Sequence, residues 1–122
     1  MFSKEFYTHL ENESLTEIKG GTARETFLEI WMVAVDQRVF ARSWNKSARS
    51  WFTEFQKTGV GQVKYGDTVL DVTGKQLPAN DSLQPRVSEA YITRFTEPEN
   101  VKYAQGIAKP EYFDYTMELM LR

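Results

Sequence analysis

Residues 26–35, Thr-Phe-Leu-Glu-Ile-Trp-Met-Val-Ala-Val, are the stretch on which the fold turns. Phe27, Leu28, Ile30, Trp31, Met32, Val33, Ala34 and Val35 are apolar, and Glu29 is the single charge. A run of strand length that is apolar on both sides predicts a central β-strand covered on both faces. Asp36-Gln37 follows as a tight turn, without the glycine that usually marks one. Residues 38–44 then alternate: Val39, Ala41 and Ser43 share one face, and Phe40, Arg42 and Trp44 the other.

Working back from this hairpin, residues 15–19 form a short strand that ends at Gly20-Gly21. Before it, Phe2, Phe6 and Leu10 recur every four residues behind Ser3, the pattern of a capped amphipathic helix. Working forward, Ala48, Phe52 and Phe55, flanked by Trp51, predict a helix over 47–58. Asn45 or Ser47 would cap its start and Gly59 its end. A second hairpin spans 60–73 around Gly66-Asp67, and 74–80 reads as a loop. Asp81 or Ser82 opens a further helix with Pro85 in its first turn and Leu83, Val87, Ala90 and Tyr91 on its apolar stripe. Glu97-Pro98 stops it, a short turn or helix occupies 99–105, and residues 113–121 alternate as a last strand. The order is helix, three strands, helix, two strands, helix, strand. This predicts an α+β, mainly β, domain: a six-stranded antiparallel barrel, closed or half closed, with an N-terminal helix and two longer flanking helices. The βαβ alternation and GxGxxG signature of a dinucleotide-binding fold are missing.

At 122 residues the chain is one domain, residues 1–122. The sequence holds no cysteine, which excludes disulfides, thiolate metal sites and a thiol nucleophile and suits a cytoplasmic location. A net charge of −2 argues against nucleic acid or an acidic membrane as partner. The N-terminus carries no basic-then-apolar signal pattern, and no apolar run approaches the roughly 20 residues of a membrane span. The lone His9 has no companions at metal-ligand spacing and reads as structural.

Within this acidic chain, Arg38, Arg42, Lys46 and Arg49 follow one another with no acid between Asp36 and Glu54. Lys46 and Arg49 fall at the expected start of a helix, where the dipole disfavours cations by about 0.3–1 kcal/mol each. A bound anion would reverse that sign, with backbone N–H groups, the Ser43 hydroxyl and the Arg42 guanidinium converging on one phosphate. The same residues also read as a solvated basic patch. Trp44 and Trp51 suit either the face of a flat ligand or the core. Gly20 to Arg24 reads equally as a phosphate contact or a hairpin connection.

Ile30-Trp31-Met32-Val33, Val39-Phe40-Ala41-Arg42-Ser43, Trp51-Phe52, Ala90-Tyr91 with Arg94-Phe95, and Thr116-Met117-Glu118-Leu119 together resemble a family of small uncharacterised bacterial proteins related to the flavin-binding split barrels. The resemblance implies a six-stranded split barrel that forms a homodimer and holds FMN or a deazaflavin, as in the pyridoxamine-phosphate oxidases and the deazaflavin-dependent nitroreductases. It implies that Arg42 and Ser43 hold the phosphate, with Lys46 and Arg49 in support, and that Trp44 or Trp51 covers the ring. An oxidoreductase follows from it. The alternative is a non-enzymatic domain of the same fold that binds a small phosphorylated ligand or an acidic protein.

Overall fold

A computed structural model describes residues 1–13, 15–44 and 50–122. The elements in chain order are α1 (Lys4–Asn12), β1 (Thr16–Gly20), β2 (Leu28–Ile30), β3 (Val33–Val35), β4 (Arg38–Arg42), α2 (Trp51–Thr58), β5 (Val60–Tyr65), β6 (Thr68–Gln76), α3 (Gln84–Arg94), α4 (Val101–Ile107), a 3₁₀ turn (Pro110–Tyr115) and β7 (Thr116–Leu121). The strands form one antiparallel sheet in the order β2-β1-β5-β6-β7-β4-β3.

The two edges of this sheet are neighbours in sequence. Only Trp31 and Met32 separate the end of β2 from the start of β3. Three Cα steps reach at most about 11 Å, whereas seven strands laid flat would be about 29 Å across. The sheet therefore curls until its first and last strands face one another, giving a half-barrel with a seam at Trp31-Met32.

This corrects the expectation of one central strand over 26–35 and raises the count from six strands to seven. The apolar run is broken in two, and its halves are the edges of the sheet. Its side chains bury in separate places: Met32 in the barrel interior, Val33 and Val35 under the helices, and Trp31 stacked on Phe95 with ring centroids 4.0 Å apart. Leu28 remains half exposed. Local hydrophobicity cannot distinguish a strand covered on two faces from a corner with several environments. The last strand is also shorter than its alternation suggests, because residues 110–115 close a 3₁₀ turn before β7 begins. β6, by contrast, runs on to Gln76 through the expected loop, its extra residues pairing with β7.

The tight turn holds. Asp36 and Gln37 have φ of +52° and +65°, the left-handed pair of a type I′ hairpin, and close Val35 onto Arg38. Ser3 caps α1 by accepting from the Phe6 amide at 3.2 Å. Gly59 ends α2 at φ +73°, its N–H donating to the Phe55 carbonyl. The described N-cap of α2 is Ser50, whose hydroxyl accepts from the Phe52 amide; Asn45 and Ser47, the expected caps, lie outside the described residues.

Two cores result. Inside the curl, Phe6 and Leu10 of α1, Phe2 just ahead of that helix, and Trp51, Phe52 and Phe55 of α2 pack against Ile18, Val39, Ala41, Val63, Val72, Met117 and Leu119. The sheet admits α2 closely because Gly61 and Gly74 lie beneath Phe55; a Cβ at either would come within 2.4 Å of the ring. Outside, α3 and α4 cover Val33, Val35, Phe40, Leu77 and Tyr112 with Val87, Tyr91, Phe95, Ala104 and Ile107. No helix among the described residues is long and apolar enough to cross a membrane.

Candidate functional site

A cavity of about 450 Å³ opens where the barrel seam meets the end of β4. Its wall combines Leu28, Glu29 and Ile30 of β2, the seam residue Trp31, Arg42 to Trp44, Ser50 and Trp51 at the head of α2, and Tyr103 and Ile107 of α4. All three tryptophans of the chain reach it. Arg42, Ser43, Trp44 and Trp51, singled out from the sequence, are brought together here; Lys46 and Arg49 lie outside the described residues.

The tryptophans differ in what they can do. Trp51 is 2% exposed and meets Phe52 and Phe55 edge-on, so it is a core residue with an edge on the cavity. Trp44 is 43% exposed. It lies parallel to Tyr112 within 2° at 5.7 Å, with Tyr103 edge-on and Gly106 behind it, where a Cβ would sit 3.1 Å from the indole. Those contacts fix the plane of the indole and leave part of it accessible, the arrangement of a stacking platform. Trp31, stacked on Phe95, had no signal in the sequence beyond its place in the apolar run.

Arg42 is 2% exposed, and all five of its N–H groups have acceptors inside the protein. Nε donates to Thr116 Oγ1 at 3.0 Å, Nη1 to Ser88 Oγ and the Ile107 carbonyl at 2.8 and 2.9 Å, and Nη2 to the Gln84 carbonyl and Oε1 at 3.1 and 2.9 Å. None of these acceptors is charged. Phe113 and Tyr91 lend their ring faces at 5.2 and 5.9 Å. Desolvation pushes the Arg42 pKa down, with Tyr91 opposing, yet guanidinium stays protonated. Burial pushes the Tyr91 hydroxyl up to about 12, so it is neutral; it accepts from the Arg42 amide at 2.9 Å and donates to the Trp31 carbonyl at 3.2 Å.

Arg42 therefore joins α3, α4 and β7 to β4, and a phosphate gripped by its guanidinium would have to displace one of these bonds. What it contributes to the cavity is a fixed positive charge in a low-dielectric wall. Arg38, four residues and about 13 Å along the strand, is paired with Glu118 by two bonds of 2.8 Å. Arg38 and Arg42, the two described members of the basic run, thus do not form one cluster. α2 begins at Trp51 and its first turn carries Glu54, the sign a helix N-terminus favours; Lys46 and Arg49, to which the helix-dipole expectation applied, lie outside the described residues. Gln84 is the residue the sequence reading missed: fully buried in the first turn of α3, it accepts from Arg42 and Thr116 while its amide donates to the Pro78 and Phe113 carbonyls. A lone glutamine beside Pro85 carries no periodic signal that would have revealed it.

A flat aromatic body suits this cavity in volume and lining. Among the described residues, the polar side chains at its wall are Arg24, Glu29, Arg42, Ser43, Ser50 and Tyr103, with no histidine.

A curled seven-stranded antiparallel half-barrel, flanked by helices and with a tryptophan-lined cavity at its seam, defines the class of protein. Residues 10–119 match the model of a family described as an uncharacterized protein conserved in bacteria (DUF2255), and the chain belongs to that family. The structure is similar to the crystal structure of the conserved hypothetical protein Rv2991 from Mycobacterium tuberculosis, with a TM-score of 0.64 over 100% of this chain and 82% of that one. At 12% identity that likeness is one of fold. No curated protein sequence matches the chain.

Proposed function

We propose that the chain is a binding protein for a planar, conjugated, anionic ligand, and that FMN or a related phosphorylated flavin is the ligand class its seam cavity takes. The observation that carries this reading is the convergence of all three tryptophans on one cavity of about 450 Å³, with Trp44 held flat and partly exposed at its mouth. Trp44 would stack on the ring, Trp31 and Ile30 would line its other side, and Ser43 and Ser50 would offer hydroxyls to its polar edge. Arg42 would favour negative charge on the ligand without touching it. A flavin supplies two-electron redox chemistry when bound. In this reading the side chains bind and orient, which accounts for an oxidoreductase without an acid–base constellation of its own. The exposed apolar rim of Leu15, Leu28, Trp44 and Tyr103 is the surface on which a second copy would close over the ligand.

Titration of the protein with FMN, followed by tryptophan and flavin fluorescence together, tests the reading. Saturable binding is expected with Kd of about 10 µM or tighter, equivalent to about −7 kcal/mol. Trp44→Ala should weaken it about tenfold, the loss of one aromatic stacking contact. Absence of saturation in the wild type overturns the flavin reading. Saturable binding without turnover on nicotinamide donors and quinone or nitro acceptors favours the non-enzymatic form of it.

A further inference from the structure

A second, smaller cavity of about 170 Å³ lies between the end of β1, the start of β5 and the end of β7. Three cationic side chains, Lys19, Arg24 and Arg122, line it together with Thr22 and one acidic side chain, Asp71. Asp71 already accepts from Gln62 at 3.0 Å, and its backbone carbonyl accepts from the Arg122 amide at 3.0 Å. Side-chain charge on this wall is therefore positive, although the whole chain carries −2. The volume is ample for a phosphate-sized group, and the polar, cationic lining, rather than the size, is what suits an anion over an apolar ring.

Arg24 lines both cavities, so the two adjoin across its side chain. Their linings are complementary. The large one is aromatic, its one buried cation has every N–H engaged, and Glu29 adds a carboxylate to its rim. The small one is polar and cationic. A ligand with an apolar ring and an anionic tail matches the pair, ring to the first and tail to the second. We infer that Lys19, Thr22, Arg24 and Arg122 form the anion subsite of this protein and hold the phosphate or carboxylate tail of the ligand whose ring occupies the seam cavity.

This inference rests on the ring-binding reading above and moves the expected phosphate contact away from Arg42 and Ser43. It requires the ligand to bend over Arg24, from the aromatic wall to the basic one. The Lys19 ammonium stands 4.4 Å from the centroid of the Phe27 ring, a cation–π contact that adds no carboxylate to this wall.

The experiment uses two ligands that share a ring and differ in the tail. FMN carries a phosphate that riboflavin lacks. The wild type is expected to bind FMN about 10- to 100-fold more tightly than riboflavin, as charge-assisted bonds to one phosphate would give. Inorganic phosphate should compete with FMN and not with riboflavin, and added salt should narrow the ratio. Lys19→Met and Arg122→Met should each bring the ratio toward one while leaving riboflavin affinity unchanged, which also shows that the variants fold. An unchanged ratio in both variants overturns the subsite and leaves the ring reading intact. Equal binding of FMN and riboflavin by the wild type does the same. Failure of both ligands to bind the wild type overturns the ring reading and the subsite with it.

Discussion

On one face of β4, Val39 and Ala41 sit in a cluster of apolar side chains inside the curl; on the other, Phe40 shares its layer with Arg42, the largest fully buried side chain among the described residues. Both faces are dry, but they are held by different means. The inner face depends on volume: rings from α1 and α2 fill a barrel whose floor is opened by glycines. The outer face depends on a hydrogen-bond network in which one guanidinium joins two helices and a strand through five bonds. Volume tolerates exchange of one apolar residue for another of like size. A network with a charge at its centre does not, because removing one member strands the others.

Arg42→Met should separate the two faces most strongly. It preserves much of the buried stem while leaving the Gln84 oxygens, the Ile107 carbonyl and two hydroxyls with fewer donors. We expect a loss of about 3–5 kcal/mol in urea unfolding, typical of breaking a buried polar network at its charged member. Arg42→Lys keeps the charge but has three donors in place of five and no planar fork, and should recover less than half of that loss. If Arg42→Met costs less than about 1 kcal/mol, the outer face is held by volume as well and the contrast fails.

On the inner face the sharpest probe is the fit of Phe55 over Gly74. Gly74→Ala would place a methyl 2.4 Å from Phe55 Cδ1 and should cost about 1–3 kcal/mol by overpacking. Because the clash is with a side chain, Phe55→Leu in the Gly74→Ala background should restore part of the loss. A double-mutant cycle is expected to show coupling of about 1 kcal/mol or more. Gly61→Ala should not be rescued in the same way, since its added carbon would also meet the Lys19 backbone carbonyl. Equal rescue at both glycines would mean that the floor yields as a whole.

Tyr91→Phe tests how far the network reaches toward the seam. It removes the hydroxyl that accepts from the Arg42 amide and donates to the Trp31 carbonyl, and both groups are at the cavity wall. A loss of about 1–2 kcal/mol is expected, with a shift in tryptophan emission as Trp31 is released. An unchanged spectrum would detach the cavity from the network.

The contrast between the faces also explains what the sequence could and could not disclose. Period-two alternation placed Val39 and Ala41 against Phe40 and Arg42 correctly, and the helical stripes of Phe6 and Leu10 and of Phe52 and Phe55 face the barrel as read. These are local patterns answered by bulk. Run 26–35 failed because its apolar residues answer to three different environments around a corner, which periodicity averages into one. Arg42, Ser43, Trp44 and Trp51 do gather at one cavity. The role expected of Arg42 depended on partners at 84, 88, 107 and 116, which only the fold brings near. Its charge was legible and its five acceptors were not.

His9 gives the smallest and most conditional test, at the margin of the inner face. Its ring lies against Phe6 and Tyr65, and Nε2 is 2.9 Å from Thr16 Oγ1. Partial burial pushes its pKa below the ordinary histidine value, against smaller opposing contributions from Glu13 and the Leu15 backbone. The folded chain then binds the proton less readily than the unfolded chain. The stability contributed by neutral His9 is complete above the unfolded pKa, near 6.5, and declines as pH falls through that value toward the lower folded pKa. Thermal unfolding of the wild type and His9→Gln between pH 8 and pH 5 isolates the effect from the carboxylates that both share. The wild type should lose a fraction of a kcal/mol relative to the variant on acidification. A relative gain at low pH would mean that Glu13 outweighs burial and that the ring sits in a polar setting, so that α1 would close the barrel with a charge where the inner face otherwise closes by volume alone.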